Sequence, residues 1–296
     1  MAHAATPGKP LDIDPFHHVI DNPEIELFES LGLHLHLPKI AGYQITKFHV
    51  FLALAALLVA VAMIWLGKKM ATGQNPRGKL WNMLESLLYF VREKIAKPGL
   101  HDEADKYVPF LTTLFLFIFL VNLLGMIPFL GSATASIAVT FALALCAFVV
   151  IHVAGIQEMG LPKYIKSFVP HIHLEGGPAI RAMGFMITVG MAVLEYATAF
   201  IRLAVLAIRL FANMLAGHTA LFMILFFISY VSRPVSDPMG GYLYDAPGWL
   251  YYVITPVSVL LSVALSCLEL FVAGLQAFVF TLLTSIFIGL AKHPAH

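Results

Sequence analysis

Arg202-Leu-Ala-Val-Leu-Ala-Ile-Arg209-Leu-Phe-Ala-Asn213-Met-Leu-Ala-Gly-His218 sets two arginines inside a run that is otherwise almost wholly apolar from Met183 to Ile228. Such a run is far longer than the roughly 20 residues that cross a bilayer. A charge at the bilayer centre costs about 3 kcal/mol on insertion scales, so an arginine retained there marks a functional site. The rest of the chain has to supply what Arg209 faces.

Composition agrees with a membrane setting. Of 296 residues, 59% are hydrophobic and only 12% are charged, about half the charged share of a soluble domain. The apolar runs are continuous, whereas a β-barrel would alternate in segments of about ten residues. The expected fold is therefore an all-α polytopic membrane protein. The formal net charge of +1 points to no nucleic-acid partner. Cys146 and Cys267 lie far apart in apolar runs, read as small buried hydrophobes with no disulfide framework.

The run around Arg209 belongs to a longer segment, about 179–230, with no internal proline and no turn signal after Gly190 until Ser232-Arg-Pro. A second such segment spans about 249–290, with Pro256 near its start. A straight helix of either length exceeds the roughly 30 Å hydrocarbon core. Both are expected to tilt steeply, as an antiparallel pair joined by the loop Val231–Gly248.

Upstream, Phe48–Leu66 reads as the first span and ends at Gly67-Lys68-Lys69. Leu80–Ile95 places Leu80, Leu84, Leu87, Leu88 and Val91 at helical spacing opposite Lys79, Glu85, Arg92 and Lys94, as in an amphipathic helix lying in the interface. Lys97-Pro98-Gly99 is expected to stop it. Further spans run from about Val108 to Phe129 and from about Ala135 to Ile156. A Pro-rich connection, Leu161 to Pro178, follows. The expected organisation is a polar N-terminal segment, 1–47, and a single helical domain, 48–296, with five traversals. Residues 1–46 carry no apolar core of signal-peptide type.

Lysine and arginine set the orientation. The region 68–107 has eight, and the 157–181 connection has three. The segments on the other side, 1–47, 131–134 and 231–248, have three, none and one. That bias puts the N-terminus outside and the C-terminus in the cytoplasm. The chain's length and long acidic N-terminal segment suggest a bacterial inner membrane.

Few polar residues sit at membrane depth. Glu195, Arg202 and Arg209 are spaced by seven and share one helical face, drifting about 20° per step. Asn213 lies on the same side, and His218 faces roughly the other way. In the last segment Glu269 and Gln276 share a face. Near a helix end an arginine often reaches the headgroups, which Arg202 permits and Arg209 is too deep to do. Asn213 and Gln276 suit interhelical hydrogen bonds.

At this point the residues resemble a known family. Arg209-Leu-Phe-Ala-Asn213-Met-Leu-Ala-Gly217 is similar to the signature of subunit a of the F-type ATP synthase membrane sector. Leu275-Gln276-Ala-Phe-Val-Phe-Thr-Leu-Leu-Thr resembles its C-terminal motif. Phe119-Leu-Val-Asn122-Leu-Leu-Gly-Met-Ile-Pro128 resembles a third, and the Phe16-His-His start also fits. The resemblance covers nearly the whole chain. Two positions depart from the common bacterial pattern. Acid and histidine are exchanged at His218 and Glu269, as in mitochondrial members, and Ala212 stands where many members have glycine.

The resemblance implies a stator role. Arg209 would face a rotor ring of c subunits, with the tilted pair packed along it, and Asn213 would sit beside it. Glu195, His218, Glu269 and Gln276 would line or gate two aqueous half-channels, with Arg202 in support. A guanidinium never deprotonates in practice. It would favour the ionised form of an approaching ring carboxyl and block a direct proton path. His218 would relay protons, since imidazole titrates near neutrality. The implied partners are the c ring, the b-subunit peripheral stalk and membrane lipid, and the implied ion is the proton rather than sodium.

No cofactor is expected, and no phosphate loop or nucleophile constellation is present. His34-Leu-His36 and His171-Ile-His173 lack further metal ligands. A secondary transporter or proton channel using Arg209 as counter-ion is the alternative. A transporter would favour internal repeats and interrupted half-helices, which the sequence lacks.

Overall fold

Long uninterrupted apolar sequence folds as long helices because every backbone polar group must be paired within the segment. The computed structural model describes residues 24–28, 33–36, 39–40, 43–44, 46–73, 78–126, 133–167, 178–231 and 249–292. The helices are α1 (Lys47–Ala71), α2 (Lys79–Val91), α3 (Lys97–Leu100), α4 (Ala104–Gly125), α5 (Ile137–Met159), α6 (Leu161–Ser167), α7 (Pro178–Val231) and α8 (Trp249–Lys292). Among the described residues, five segments are long and apolar enough to cross a membrane. The chain is a polytopic, almost entirely helical membrane protein.

α7 is one continuous helix of 54 residues and α8 one of 44. At 1.5 Å per residue they measure about 80 and 65 Å, more than twice the hydrocarbon thickness. They run antiparallel. Arg202 meets Phe287, Asn213 meets Gln276 and Gly217 meets Glu269. The Val231–Gly248 connection, beyond its first residue, lies outside the described residues, as do Phe16-His-His and the His171–His173 pair.

Several sequence expectations are corrected. The Lys97-Pro98-Gly99 stop does not end the helix. A π turn, Arg92–Ala96, follows α2 and lets Lys97 N–H bond to Arg92 O. That widened turn leads into α3 with Pro98 in its first turn, where a missing N–H costs little. The break comes at His101, whose φ is 49°. The Pro-rich connection begins with α6, which follows Gly160 at φ 79°. Within the polar N-terminal segment, two short antiparallel hairpins form. β1 (Glu24–Phe28) pairs with β2 (Leu33–His36), and β3 (Lys39–Ile40) with β4 (Tyr43–Gln44). The alternation in Glu24-Ile-Glu and Leu33-His-Leu-His is the period-2 signal of strands. Cys146 and Cys267 are free but exposed on helix surfaces, because the outside of a membrane helix is itself an apolar environment.

The main core lies where α4, α5, α7 and α8 meet the π turn. Ile95, Leu111, Ile118, Ala144, Leu210, Phe280 and Ile288 are fully buried there. Small residues let α5 approach closely: Ala144, Ala147 and Ala154 are buried, and the Tyr164 ring seats on Gly155. α1 attaches separately through Phe48 and Ala55 against Val121 and Ala133. At one end, Lys292 is buried and ion-paired to Glu103 and to Glu158 at 2.9 Å. Beside it, Arg92 grips Asp105 through two hydrogen bonds of 2.6 and 2.8 Å.

Candidate functional site

Leu206, Leu210 and Met214 are buried at spacings of four and turn one face of α7 into the core. The opposite face carries Ile201, Val205, Ile208 and Arg209, all exposed. The α8 surface is likewise open and apolar at Leu268, Phe271 and Leu275. Arg209 therefore emerges in the middle of an apolar surface. It makes no hydrogen bond or ion pair among the described residues. Hydrocarbon on that surface would leave a guanidinium unsolvated, at a cost of about 3 kcal/mol or more. Water or an anionic partner there would remove that cost.

The other candidates gather at the α7–α8 seam. Asn213 donates its amide to Gln276 Oε1 at 3.1 Å. Gln276 is buried, while Asn213 is exposed beside Arg209. One helical turn further along α7, Gly217 gives the Glu269 carboxyl its seat. A Cβ at Gly217 would overlap Glu269 Oε1. His218, the next residue, is buried. Arg202 stands 5.0 Å from the Phe287 ring centroid, so an aromatic face neighbours its charge. Glu195 lies within α7, but its side chain falls outside the described residues.

Three buried polar atoms here have no protein partner among the described residues: His218 Nε2, Glu269 Oε1 and Gln276 Nε2. An unmade bond of this kind costs about 1–3 kcal/mol. Three such atoms at one seam suit a lining that water or a moving proton engages. Ser262 and Ser266 instead bond back to carbonyls one turn away, Ser258 O and Ser262 O.

The family model for the ATP synthase A chain matches residues 49–289. The chain belongs to the subunit a family of F-type ATP synthase. It is 40% identical to ATP synthase subunit a of Myxococcus xanthus, over 86% of this chain and 74% of that one. It is 37% identical to ATP synthase subunit a 2 of Chlorobaculum tepidum, over 95% and 74%. With ATP synthase subunit a of Pelodictyon phaeoclathratiforme it shares 37% identity over 100% and 80%. The segment matched to the ATP synthase A chain contains Glu195, Arg202, Arg209, Asn213, His218, Glu269 and Gln276.

In this subunit a chain the fold adds two contacts that sequence reading missed. Gly217, quoted only within a motif, is a packing requirement of Glu269. Asn122 is wholly buried on α4; it accepts from Thr134 Oγ1 at 3.1 Å and points its amide at Ala273 O, 3.5 Å away on α8. An uncharged amide in a transmembrane motif was the available signal for that second contact.

Proposed function

We propose that this subunit a is the stator of a proton-driven rotor, presenting Arg209 to a ring of c subunits between two aqueous half-channels. One observation carries the reading: a permanently charged guanidinium stands uncovered on an apolar face of α7. A ring that brings one carboxyl after another to that face is the partner that matches it. The guanidinium attracts each carboxylate and favours its ionised form. The carboxyl releases its proton into one half-channel, passes Arg209, and is reprotonated from the other. It crosses lipid only when neutral.

Arg209 also separates the channels, because it repels cations and gives up no proton. His218, Glu269, Gln276 and Asn213 line the path along the α7–α8 seam, with Glu195 toward one mouth and Arg202 in support. The driving force is about 2.3 kcal/mol per charge per 100 mV. The chain makes and breaks no covalent bond in this scheme. The peripheral-stalk b subunit is the further partner. The membrane is the bacterial inner membrane, with the segment 1–47 outside and the end of α8 in the cytoplasm.

Arg209→Ala in the intact complex tests this. The complex is expected to assemble with its ring, hydrolyse ATP without pumping, and lose proton-driven ATP synthesis. Coupled synthesis retained in Arg209→Ala, or a purified complex with no ring of small hairpin subunits, overturns the reading.

A further inference from the structure

The corner between α1 and α2 has a chemistry that the rotor scheme does not use. α1 ends in Lys68 and Lys69, and α2 begins at Lys79. Lys68 and Lys79 are exposed and Lys69 half-buried. Among the described residues none of the three ammonium groups has a carboxylate partner, and the first turn of α2 carries no acid. Two indoles fill the angle between the helices. Trp65 of α1 meets Trp81 of α2 edge to face, centroids 6.4 Å apart, and Lys69 Nζ lies 5.4 Å from the Trp81 ring.

α2 itself is two-sided. Trp81 and Val91 are buried toward the bundle. Leu80, Met83, Leu87 and Phe90 fall within an arc of about 80° at 100° per residue. Leu80 is 68% exposed, Met83 59% and Phe90 39%. Leu87 and Phe90 lie partly against the bundle, Phe90 beside the rings of Phe115 and Phe278, so the open part of the stripe is Leu80, Met83 and the outer edge of Phe90. Asn82, Glu85 and Ser86 take the far side, so one flank of α2 suits water and the other suits hydrocarbon.

We infer that the α1–α2 corner is a binding site for an anionic phospholipid of the leaflet on the lysine-rich side. Its phosphate sits among Lys68, Lys69 and Lys79, and its acyl chains lie on Leu80, Met83 and the exposed edge of Phe90. Charge complementarity selects this occupant. Three cations with no carboxylate partner among the described residues, beside an apolar stripe, match a negative headgroup joined to hydrocarbon, whereas a zwitterionic headgroup offers no net charge to them. The paired tryptophans sit at the level where amphipathic rings settle, between headgroup and acyl chain. The site is coupled to the bundle by chain continuity. α2 runs through the π turn into α3, whose Gly99 lies against Gly289 of α8.

The test uses the intact complex in phosphatidylcholine nanodiscs doped with photoactivatable phosphatidylglycerol. Cross-links are expected on peptides from residues 65–90. The yield should fall about tenfold or more in a K68Q/K69Q/K79Q variant and stay near wild type in the matching K→R variant. Raising salt on the wild-type complex should lower it as well. A photoactivatable phosphatidylcholine probe should label the stripe equally in all three proteins. Equal labelling by both probes, a yield untouched by the Gln variant, or label replaced by another polypeptide cross-linked to the stripe overturns the site. If the Gln variant does not assemble, the wild-type salt series decides, and a yield that does not fall with salt refutes the proposal.

Discussion

Asn213 of α7 and Gln276 of α8 are joined by a hydrogen bond of 3.1 Å, one turn along α7 from Arg209. The bond ties one long helix to the other at that height. It therefore also sets where the Glu269 carboxyl meets Gly217. Because the Gln276 amide has no partner of its own among the described residues, the pair holds the seam together and still offers it a donor.

Removing the acceptor separates those two duties. Interhelical hydrogen bonds in membranes contribute about 0.6 kcal/mol on average and rarely above about 1.7. Gln276→Leu is therefore expected to lower the melting temperature of the assembled complex by only a few degrees. ATP-driven proton pumping should fall much further, since a polar lining atom is lost with the bond. Gln276→Glu keeps an acceptor and should retain more pumping than Leu. Fluorescence-quench assays on inverted vesicles give the ranking, and equal activity of Leu and Glu variants would contradict it.

Gly217 makes a sharper demand. Its missing Cβ is the space that the Glu269 carboxyl occupies. Gly217→Ala should displace that carboxyl and cut ATP synthesis by an order of magnitude or more, because small misplacements at reacting groups are costly. Shortening the partner makes room: Gly217→Ala with Glu269→Asp should recover part of the loss. Additive losses in the double variant, measured as synthesis rates in vesicles, would show that the two residues do not share the space.

Lys292 should behave unlike an ordinary surface cation. It is buried, and it serves both Glu103 and Glu158. Replacing a buried ion pair by an apolar side chain is often neutral, while stripping a buried charge of its partners costs about 3–5 kcal/mol. Lys292→Met is thus expected to leave stability nearly unchanged, since both carboxylates are partly exposed and regain water. Glu103→Gln with Glu158→Gln should destabilise far more. Thermal denaturation of the complex compares them directly, and the reverse order would mean that Lys292 is hydrated.

The helices were legible wherever hydrophobicity alone decides the outcome. The bounds of α7 and α8 follow from where apolar sequence stops, and Arg209 announces itself by its solvation cost. Local rules failed where neighbours decide. Pro98 reads as a stop, yet the π turn before it absorbs the lost hydrogen bond. The β1–β2 hairpin has an alternating pattern too short to stand out beside long helices. Cys146 and Cys267 face outward because the rule that apolar residues lie inside inverts in lipid. The pairing of Asn213 with Gln276, and of Gly217 with Glu269, depends on the register between two helices. Both residues of each pair were visible; their meeting was not.

That dependence on register can be tested away from the seam, at Gly289. A Cβ there would overlap the carbonyl oxygen of Gly99, a backbone atom that no rotamer change can move. The Gly99 position is closed in the same way by Ser285 Oγ and the Ile286 backbone nitrogen. α3 and α8 thus touch backbone to backbone, and this contact lies on the same helix as Gln276. Gly289→Ala is expected to cost about 1–3 kcal/mol from overpacking, less the small gain in helix propensity that alanine brings. Two other glycines serve as controls. Gly274→Ala meets only Phe119 Cε2 at 3.8 Å, and Gly67→Ala meets nothing within 4 Å. Both should assemble and melt at or slightly above the wild-type temperature. If α3 acts as the stop that sets the axial position of α8, Gly289→Ala should also reduce pumping in the complexes that do assemble, because Gln276 and Glu269 move with the helix. A Gly289→Ala complex with normal melting and normal pumping would show that the two backbones have room to part and that α3 does not set the axial position of α8.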